Sequence, residues 1–129
     1  MSIFRIQGMA PLCGRVAVQG AKNSVLPVLA ATLLHPGVSV VHNCPDLRDV
    51  RTTIAILTYL GCRVTREGET ITVDASVLTR SDIPDHLMRE MRSSVIFLGA
   101  ILARCGQANM SFPGGCELGP RPIDLHLSA

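Results

Sequence analysis

Residues 24–41 read SVLPVLAATLLHPGVSVV, a helix, a stop and a strand in one short passage. The run from Asn23 to Leu34 is apolar nearly all round, which predicts a buried helix. Pro27 is expected in the first turn of this helix, where a missing N–H costs little. His35-Pro36-Gly37 should end the helix, and Val38 to Val41 should follow as a strand. The passage therefore predicts an α/β unit.

Downstream, the same unit is expected to continue through a second helix. Asp46 is the predicted N-cap and Gly61 the predicted C′ residue of this helix. Its predicted apolar stripe recurs at helical spacing, and its polar residues should lie outside. The stripe consists of Val50, Ile54, Leu57 and Leu60, and the outer residues are Arg48, Arg51 and Thr52.

Shorter alternating runs predict strands on both sides of these helices. Residues 63–66 and 70–73 should form a hairpin around Glu67-Gly68-Glu69. Near the start of the chain, residues 4–7 and 15–18 alternate in the same way, and they too predict strands.

A second helix–stop–strand passage begins about 70 residues after the first. Residues 86–104 predict one long helix, Gly106 closes it, and residues 108–112 predict a strand. Laying Ser24 over Ser94 also brings Ala30 over Ala100. Such a period is typical of folds that repeat a supersecondary unit, although all α/β proteins share these signals. Residues 123–129 have the pattern of a helix without an end, so we expect the chain to be a fragment.

Composition excludes several classes of protein. Of the 129 residues, 47% are hydrophobic and 17% charged, as in an ordinary globular domain. The three Phe, one Tyr and no Trp, with a net charge of +2, argue against a nucleic-acid partner. No segment has the pattern of a signal peptide or a membrane span. The five cysteines form no CxxC pair, which favours a reducing cytoplasm, and the histidines show no metal spacing.

The segment from Pro113 to Pro122 is the strongest candidate for chemistry. Three glycines and three prolines in ten residues are typical of an active-site loop, with Cys116 at its centre. A thiol there can act as nucleophile or proton donor, and Arg121 is close enough in sequence to influence it. The alternative, that Cys116 is an inert residue in a turn, has about equal weight.

Two basic residues occupy matching places in the two passages. Lys22, in Gly20-Ala21-Lys22-Asn23, lies where a strand meets a helix N-terminus, a place that favours an anion. Arg92, in Met91-Arg92-Ser93-Ser94, lies at the corresponding point of the second passage. Since repeats place corresponding positions on corresponding edges, a repeat would bring both to the border of one cleft. Taken singly, each is more often a solvated surface charge.

These three motifs resemble the UDP-N-acetylglucosamine 1-carboxyvinyltransferases of the enolpyruvyl transferase family, in order, in spacing and over the whole chain. The most specific match is Pro113-Gly114-Gly115-Cys116-x-x-Gly119-x-Arg121-Pro122-x-Asp124-Leu125-His126. The resemblance implies α/β units of βαβαββ type, arranged as inside-out α/β barrels in two lobes. About two units are expected here, the second incomplete. Residues 1–20 are expected to pair with a second lobe absent from the chain, and residues 21–129 to form part of the N-terminal, catalytic-loop lobe.

The family's chemistry, the first committed step of peptidoglycan synthesis, implies a role for each matching residue. The sugar 3′-hydroxyl adds to C2 of phosphoenolpyruvate, C3 is protonated and phosphate leaves, with no cofactor. Cys116 matches the proton donor, which fosfomycin alkylates. The residues matching the phosphoenolpyruvate site are Lys22, Asn23 and Arg121. Those matching the UDP-N-acetylglucosamine site are Arg92, Arg121, Pro122, Ile123, Asp124 and Leu125.

Three other readings are open. The nearest is a 5-enolpyruvylshikimate-3-phosphate synthase-like enzyme, which lacks an equivalent of the Cys116 loop. The second is a fragment that binds the nucleotide sugar without catalysis, because the family's carboxylate base and a further arginine come from segments this chain lacks. The third is a fragment that binds nothing and self-associates through the apolar surface that truncation exposes.

Overall fold

The computed structural model of the chain describes residues 3–8, 11–111, 124 and 128. Two 3-10 segments, Thr32–Leu34 and Arg92–Ile96, accompany the regular elements. The helices are α1 (Lys22–Ala31), α2 (Arg48–Tyr59), α3 (Asp85–Glu90) and α4 (Phe97–Cys105). The strands are β1 (Val38–Val41), β2 (Arg63–Glu67), β3 (Thr70–Asp74), β4 (Asp82–Ile83) and β5 (Asn109–Met110).

Three strands form an antiparallel sheet in the order β1-β3-β2. The β2–β3 hairpin turns at Gly68, whose φ of 58° suits glycine, and pairs Glu67 with Thr70. This hairpin and strand β1 confirm the sequence prediction. Strands β4 and β5 pair in parallel, and β4 was not predicted.

The core lies between the helices and the inner face of this sheet. Ile71 and Val73 of the central strand β3 are fully buried, and Val41 and Val64 on the flanking strands pack beside them. Leu29, Leu57 and Phe97, one from each of the three longer helices, are also fully buried. The apolar stripes predicted from sequence therefore meet in one core.

Three details of the predicted helices are wrong. Pro27 is the sixth residue of α1, beyond its first turn. Asp46 does not cap α2, because Leu47 occupies the N-cap position and the Asp46 carboxylate instead accepts two hydrogen bonds from Arg51. Thr52 is buried rather than outside, because it faces α3 and donates a hydrogen bond to Glu90. Gly61, with a φ of 108°, follows the helix as predicted.

The long helix predicted over residues 86–104 is interrupted at Met91. This residue is extended (φ −140°, ψ 142°), buried, and separates α3 from the 3-10 segment. Its sulfur accepts a hydrogen bond from the Thr53 hydroxyl of α2, at 3.7 Å. A contact from a distant helix thus overrides the local helical pattern. Gly106 ends α4 in the left-handed conformation, as predicted.

The strands predicted at residues 4–7 and 15–18 do not form. Residues 3–8 and 11–19 are exposed, and no strand in the described part of the chain lies beside them to satisfy their backbone groups. Their large apolar side chains are 88–101% exposed: Ile3, Phe4, Ile6, Leu12, Val16 and Val18. The strand predicted over residues 108–112 is observed only at Asn109–Met110, and Phe112 lies outside the described residues.

None of the helices in the described residues has the length and apolar character needed to cross a membrane.

Candidate functional site

The start of α1 is built on a close backbone contact. Gly20 packs against Asn43, a residue with a φ of 57° that lies two positions after β1. Ala21 is extended, and its carbonyl accepts hydrogen bonds from the N–H groups of Ser24 and Val25. The N–H groups of Lys22 and Asn23 precede these first intrahelical bonds, so this helix end favours a negatively charged ligand.

Lys22 is the first residue of α1 and the only lysine in the sequence. Its ammonium group donates a hydrogen bond to Oδ2 of Asp49, at 2.9 Å. Asp49 lies in the first turn of α2, where a carboxylate is stabilised by the helix dipole. The lysine side chain is 49% exposed and the aspartate 26%, so the pair faces solvent from one side.

Asn23 occupies the second position of α1 and is exposed. Because Pro27 has no N–H, it cannot donate the usual helical hydrogen bond to the carbonyl of Asn23. The polar groups at the start of α1 are thus the ammonium group of Lys22, the carboxamide of Asn23 and the backbone N–H groups of these two residues.

Arg92 is half-buried and begins the 3-10 segment that follows the interruption at Met91. Three hydrogen bonds fix its surroundings. Thr52 donates to Glu90 at 2.8 Å, Thr53 donates to the sulfur of Met91, and the buried Ser94 hydroxyl donates to the carbonyl of Met88 at 3.0 Å. Helix α2 thus braces the backbone on the N-terminal side of Arg92.

Lys22 and Arg92, 70 positions apart, each begin a helical segment, and the two segments pack against each other. The structure therefore brings together the two passages that the sequence repeat related. Helix α1 contacts α2 directly, and so does α3, the helix that precedes the segment of Arg92. The candidate cations come from separate units and share one supporting helix.

Of the other predicted residues, only Asp124 is described. It is helical and exposed. The proton-donor candidate and most of the nucleotide-sugar motif lie outside the described residues: Cys116, Arg121, Pro122, Ile123 and Leu125.

The described cysteines are all free. Burial raises the pKa of the Cys44 thiol, and it raises the pKa of Cys62 to about 11. Neither thiol is a thiolate near neutral pH, so neither has the character of a nucleophile. Cys13 is exposed and Cys105 is half-buried.

An open cavity of about 220 Å³ adjoins the start of α1. One wall is the helix and the other is the end of β1. Its lining comprises Gly20, Ala21, Ser24, Val25, Val28, Val41, His42 and Asn43. In the described residues, no group of three or more His, Cys, Asp or Glu side chains is arranged to hold a metal ion.

Sequence reasoning missed Asp49. It lies 27 residues from Lys22, in a helix whose charged residues were interpreted only as an outer face. No local pattern marks it, because the contact exists only once α1 packs on α2.

A sequence profile described as EPSP synthase (3-phosphoshikimate 1-carboxyvinyltransferase) matches residues 6–129 of the chain. The chain belongs to the EPSP synthase family.

Curated relatives of this EPSP synthase family member are named for UDP-N-acetylglucosamine, whereas the family description names 3-phosphoshikimate. UDP-N-acetylglucosamine 1-carboxyvinyltransferase 2 of Caldanaerobacter subterraneus subsp. tengcongensis is 57% identical over 98% of the chain and 30% of its own length. UDP-N-acetylglucosamine 1-carboxyvinyltransferase of Methylacidiphilum infernorum is 47% identical over 99% of the chain and 30% of its own length. The chain thus spans about 30% of the length of these relatives.

Among solved structures, the enolpyruvyl transferase NikO from Streptomyces tendae is similar to this family member with a TM-score of 0.69. The two are 31% identical, and the match covers 75% of this chain and 23% of NikO. The predicted fold class, an α/β portion of an enolpyruvyl transferase, is confirmed.

Proposed function

We propose that the protein carrying this chain transfers the enolpyruvyl group of phosphoenolpyruvate to the 3′-hydroxyl of UDP-N-acetylglucosamine. This reaction is the first committed step of peptidoglycan synthesis, and we place it in the cytoplasm. The names of the curated relatives support this substrate pair. Because the chain spans about 30% of the length of these relatives, we assign the rest of the site to segments that they have in addition.

The observation that carries the proposal is the packing of the segment begun by Lys22 against the segment begun by Arg92. Phosphoenolpyruvate and the sugar diphosphate are both multiply anionic, so a site for the two needs cations from more than one element. Lys22, with Asn23 and the free N–H groups of α1, is assigned to phosphoenolpyruvate. Arg92 is assigned to UDP-N-acetylglucosamine. Fixed positive charge also stabilises phosphate as it departs.

The remaining roles fall on the loop and the residues after it. Cys116 donates the proton to C3 of phosphoenolpyruvate as the sugar oxygen bonds to C2. Arg121 binds the phosphate group. The run from Arg121 to Leu125 clasps the uridine end, and closure of the loop excludes water.

We also propose that residues 1–20 belong to the second lobe of the protein, and residues 21–129 to the N-terminal lobe. The exposure of Val16, Val18 and the other large apolar side chains described before Gly20 supports this division, since burying them against a partner would stabilise the segment.

The test is phosphate release from phosphoenolpyruvate in the presence of UDP-N-acetylglucosamine, with the protein as expressed from its gene. Cys116→Ser should lower kcat about 100- to 10,000-fold, because general acid catalysis contributes on that order. Binding of UDP-N-acetylglucosamine should be nearly unchanged. Cys13→Ser, which alters an exposed thiol, is the matched control and should leave both unchanged. Equal loss of binding and turnover in Cys116→Ser would contradict the acid role.

Cys116→Asp separates proton donation from thiol chemistry. A carboxylic acid can still donate a proton, so this variant should retain turnover and lose its sensitivity to fosfomycin. Full turnover in Cys116→Ser, which has no comparable acid at this position, would place the proton donor elsewhere.

A second candidate substrate is 3-phosphoshikimate, which the family description favours. Paired assays with 3-phosphoshikimate and UDP-N-acetylglucosamine as acceptors distinguish the two, and the sugar nucleotide is the expected substrate. Calorimetry with the 129-residue chain tests the non-catalytic alternative. Binding of UDP-N-acetylglucosamine without phosphate release would identify a binding fragment, and concentration-dependent association without binding would identify an interaction fragment.

A further inference from the structure

The contact between Lys22 and Asp49 joins a flexible cation to a rigid anion. Lys22 has four side-chain torsions and is half exposed. Asp49 has two torsions and is the second residue of α2, so the helix backbone fixes its position. The 2.9 Å hydrogen bond therefore selects one conformation of the lysine from many.

This ion pair does little for the stability of the fold. Half-exposed ion pairs contribute almost nothing to the free energy of unfolding, since solvent screens them and ordering the side chains opposes them. Of the 12 lysine and arginine residues in the sequence, all except Lys22 are arginines. The one lysine is a compact, strongly hydrated charge at the end of a mobile stem, and such a charge binds an anion well only when its position is set in advance.

Helix α2 supplies more than this one contact. The turn after Asp49 carries Thr52 and Thr53, which bind Glu90 and Met91 immediately before Arg92. One rigid helix therefore holds the lysine of the first unit and the backbone that leads to the arginine of the second. The relative position of the two cations is set by α2.

We propose that Asp49 is a positioning residue, which holds the Lys22 ammonium at the start of α1 in the conformation that receives the anionic groups of phosphoenolpyruvate. Asp49 acts through the lysine and does not itself contact the substrate. The proposal rests on the proposed function, because it names the same substrate.

The experiment follows the single lysine by NMR in the 129-residue chain with ¹³C,¹⁵N-lysine. A held side chain gives two distinct signals for its Cε protons, and a freely rotating one gives a single averaged signal. Asp49→Ala should collapse the two signals. Asp49→Asn keeps a hydrogen-bond acceptor and should keep them partly resolved. Asp46→Asn removes the same charge three residues earlier, where the carboxylate pairs with Arg51, and should leave them as in the unsubstituted chain.

Titration with phosphoenolpyruvate of the protein as expressed from its gene, carrying the same substitutions, links the contact to binding. We expect Asp49→Ala to raise the Kd about tenfold, the effect of losing a pre-positioned cation. Asp49→Asn should fall between this variant and the unsubstituted chain, and Asp46→Asn should not change the Kd. In a Lys22→Ala background, Asp49→Ala should have no further effect, because the residue acts only through the lysine.

Three outcomes would overturn the proposal. If Asp49→Ala leaves two resolved Cε signals, the carboxylate does not hold the lysine. If the signals collapse and the Kd is unchanged, holding the lysine does not prepare it for the substrate. If the signals collapse but the unsubstituted protein, as expressed from its gene, gives no response to phosphoenolpyruvate, the assignment of this substrate to Lys22 has failed together with the positioning role, while the contact itself stands.

Discussion

Gly20 and Asn43 approach each other so closely that a Cβ atom on Gly20 would overlap the carbonyl oxygen of Asn43. No side chain fits there, so the chain before α1 is held against the end of β1. Gly20→Ala must push these two segments apart and should lower the free energy of unfolding by roughly 1–3 kcal/mol. It should also shift the amide signals of residues 21–24. Urea unfolding and amide NMR measure the two effects.

The control for this substitution is Gly99→Ala. Gly99 lies within α4, and a Cβ there meets nothing within 4 Å. This change should raise the free energy of unfolding by up to about 1 kcal/mol, since alanine favours a helix more than glycine does. Equal effects of the two substitutions would contradict the close contact.

Thr52→Val removes the hydrogen bond to Glu90 and keeps the shape of the side chain. We expect amide hydrogen exchange of residues 90–94 to become about 3- to 10-fold faster, because one hydrogen bond contributes roughly 0.5–1.5 kcal/mol. Thr58→Val is the matched control, since the Thr58 hydroxyl donates a hydrogen bond to the carbonyl of Ile54 within its own helix. If the amides of residues 90–94 exchange at the same rate in the two variants, α2 does not brace the segment before Arg92.

Burial of Cys62 makes stability depend on alkaline pH. The folded state raises the pKa of this thiol from 9.0 to about 11. The stability gained from a neutral thiol is thus complete below pH 9 and is lost as the pH rises through 11. Between pH 8 and 10.5, the unsubstituted chain should lose about 2 kcal/mol more free energy of unfolding than Cys62→Ala, which cannot ionise. Urea unfolding at both pH values measures this difference. If the unsubstituted chain and Cys62→Ala lose the same free energy of unfolding, the pKa of Cys62 is the same in the folded and the unfolded state.

Removal of residues 1–18 should change the free energy of unfolding by less than about 0.5 kcal/mol, because the described side chains in this segment are exposed. Binding of a hydrophobic dye should fall, since several large apolar groups leave with the segment. Leu33→Ala, in the core, should cost about 2–5 kcal/mol and calibrates the measurement. A destabilisation above 1 kcal/mol on truncation would mean that the segment packs on the rest of the chain.

Features with local causes were predicted correctly from the residues. The β2–β3 hairpin follows from Gly68 between two alternating runs, and the end of α4 follows from Gly106, whose φ is 73°. Strand β1 begins and ends where its sequence pattern does. The choice of Lys22 and Arg92 as candidate site residues, which stays a prediction, also came from local signals at matching places in the two passages. In each case a few neighbouring residues contain the whole signal.

Features with distant causes were not predicted. The helical pattern around Met91 is locally sound, yet Thr53 and a buried position for the methionine interrupt it. Residues 15–18 follow the alternating sequence pattern of a strand. A strand, however, requires a neighbouring strand, which the described residues do not supply. Asp49 meets Lys22 only because α1 packs against α2. Adjacent residues determine local conformational preference. The break at Met91, the missing strand and the Lys22–Asp49 contact depend instead on which distant surfaces come together when the core forms.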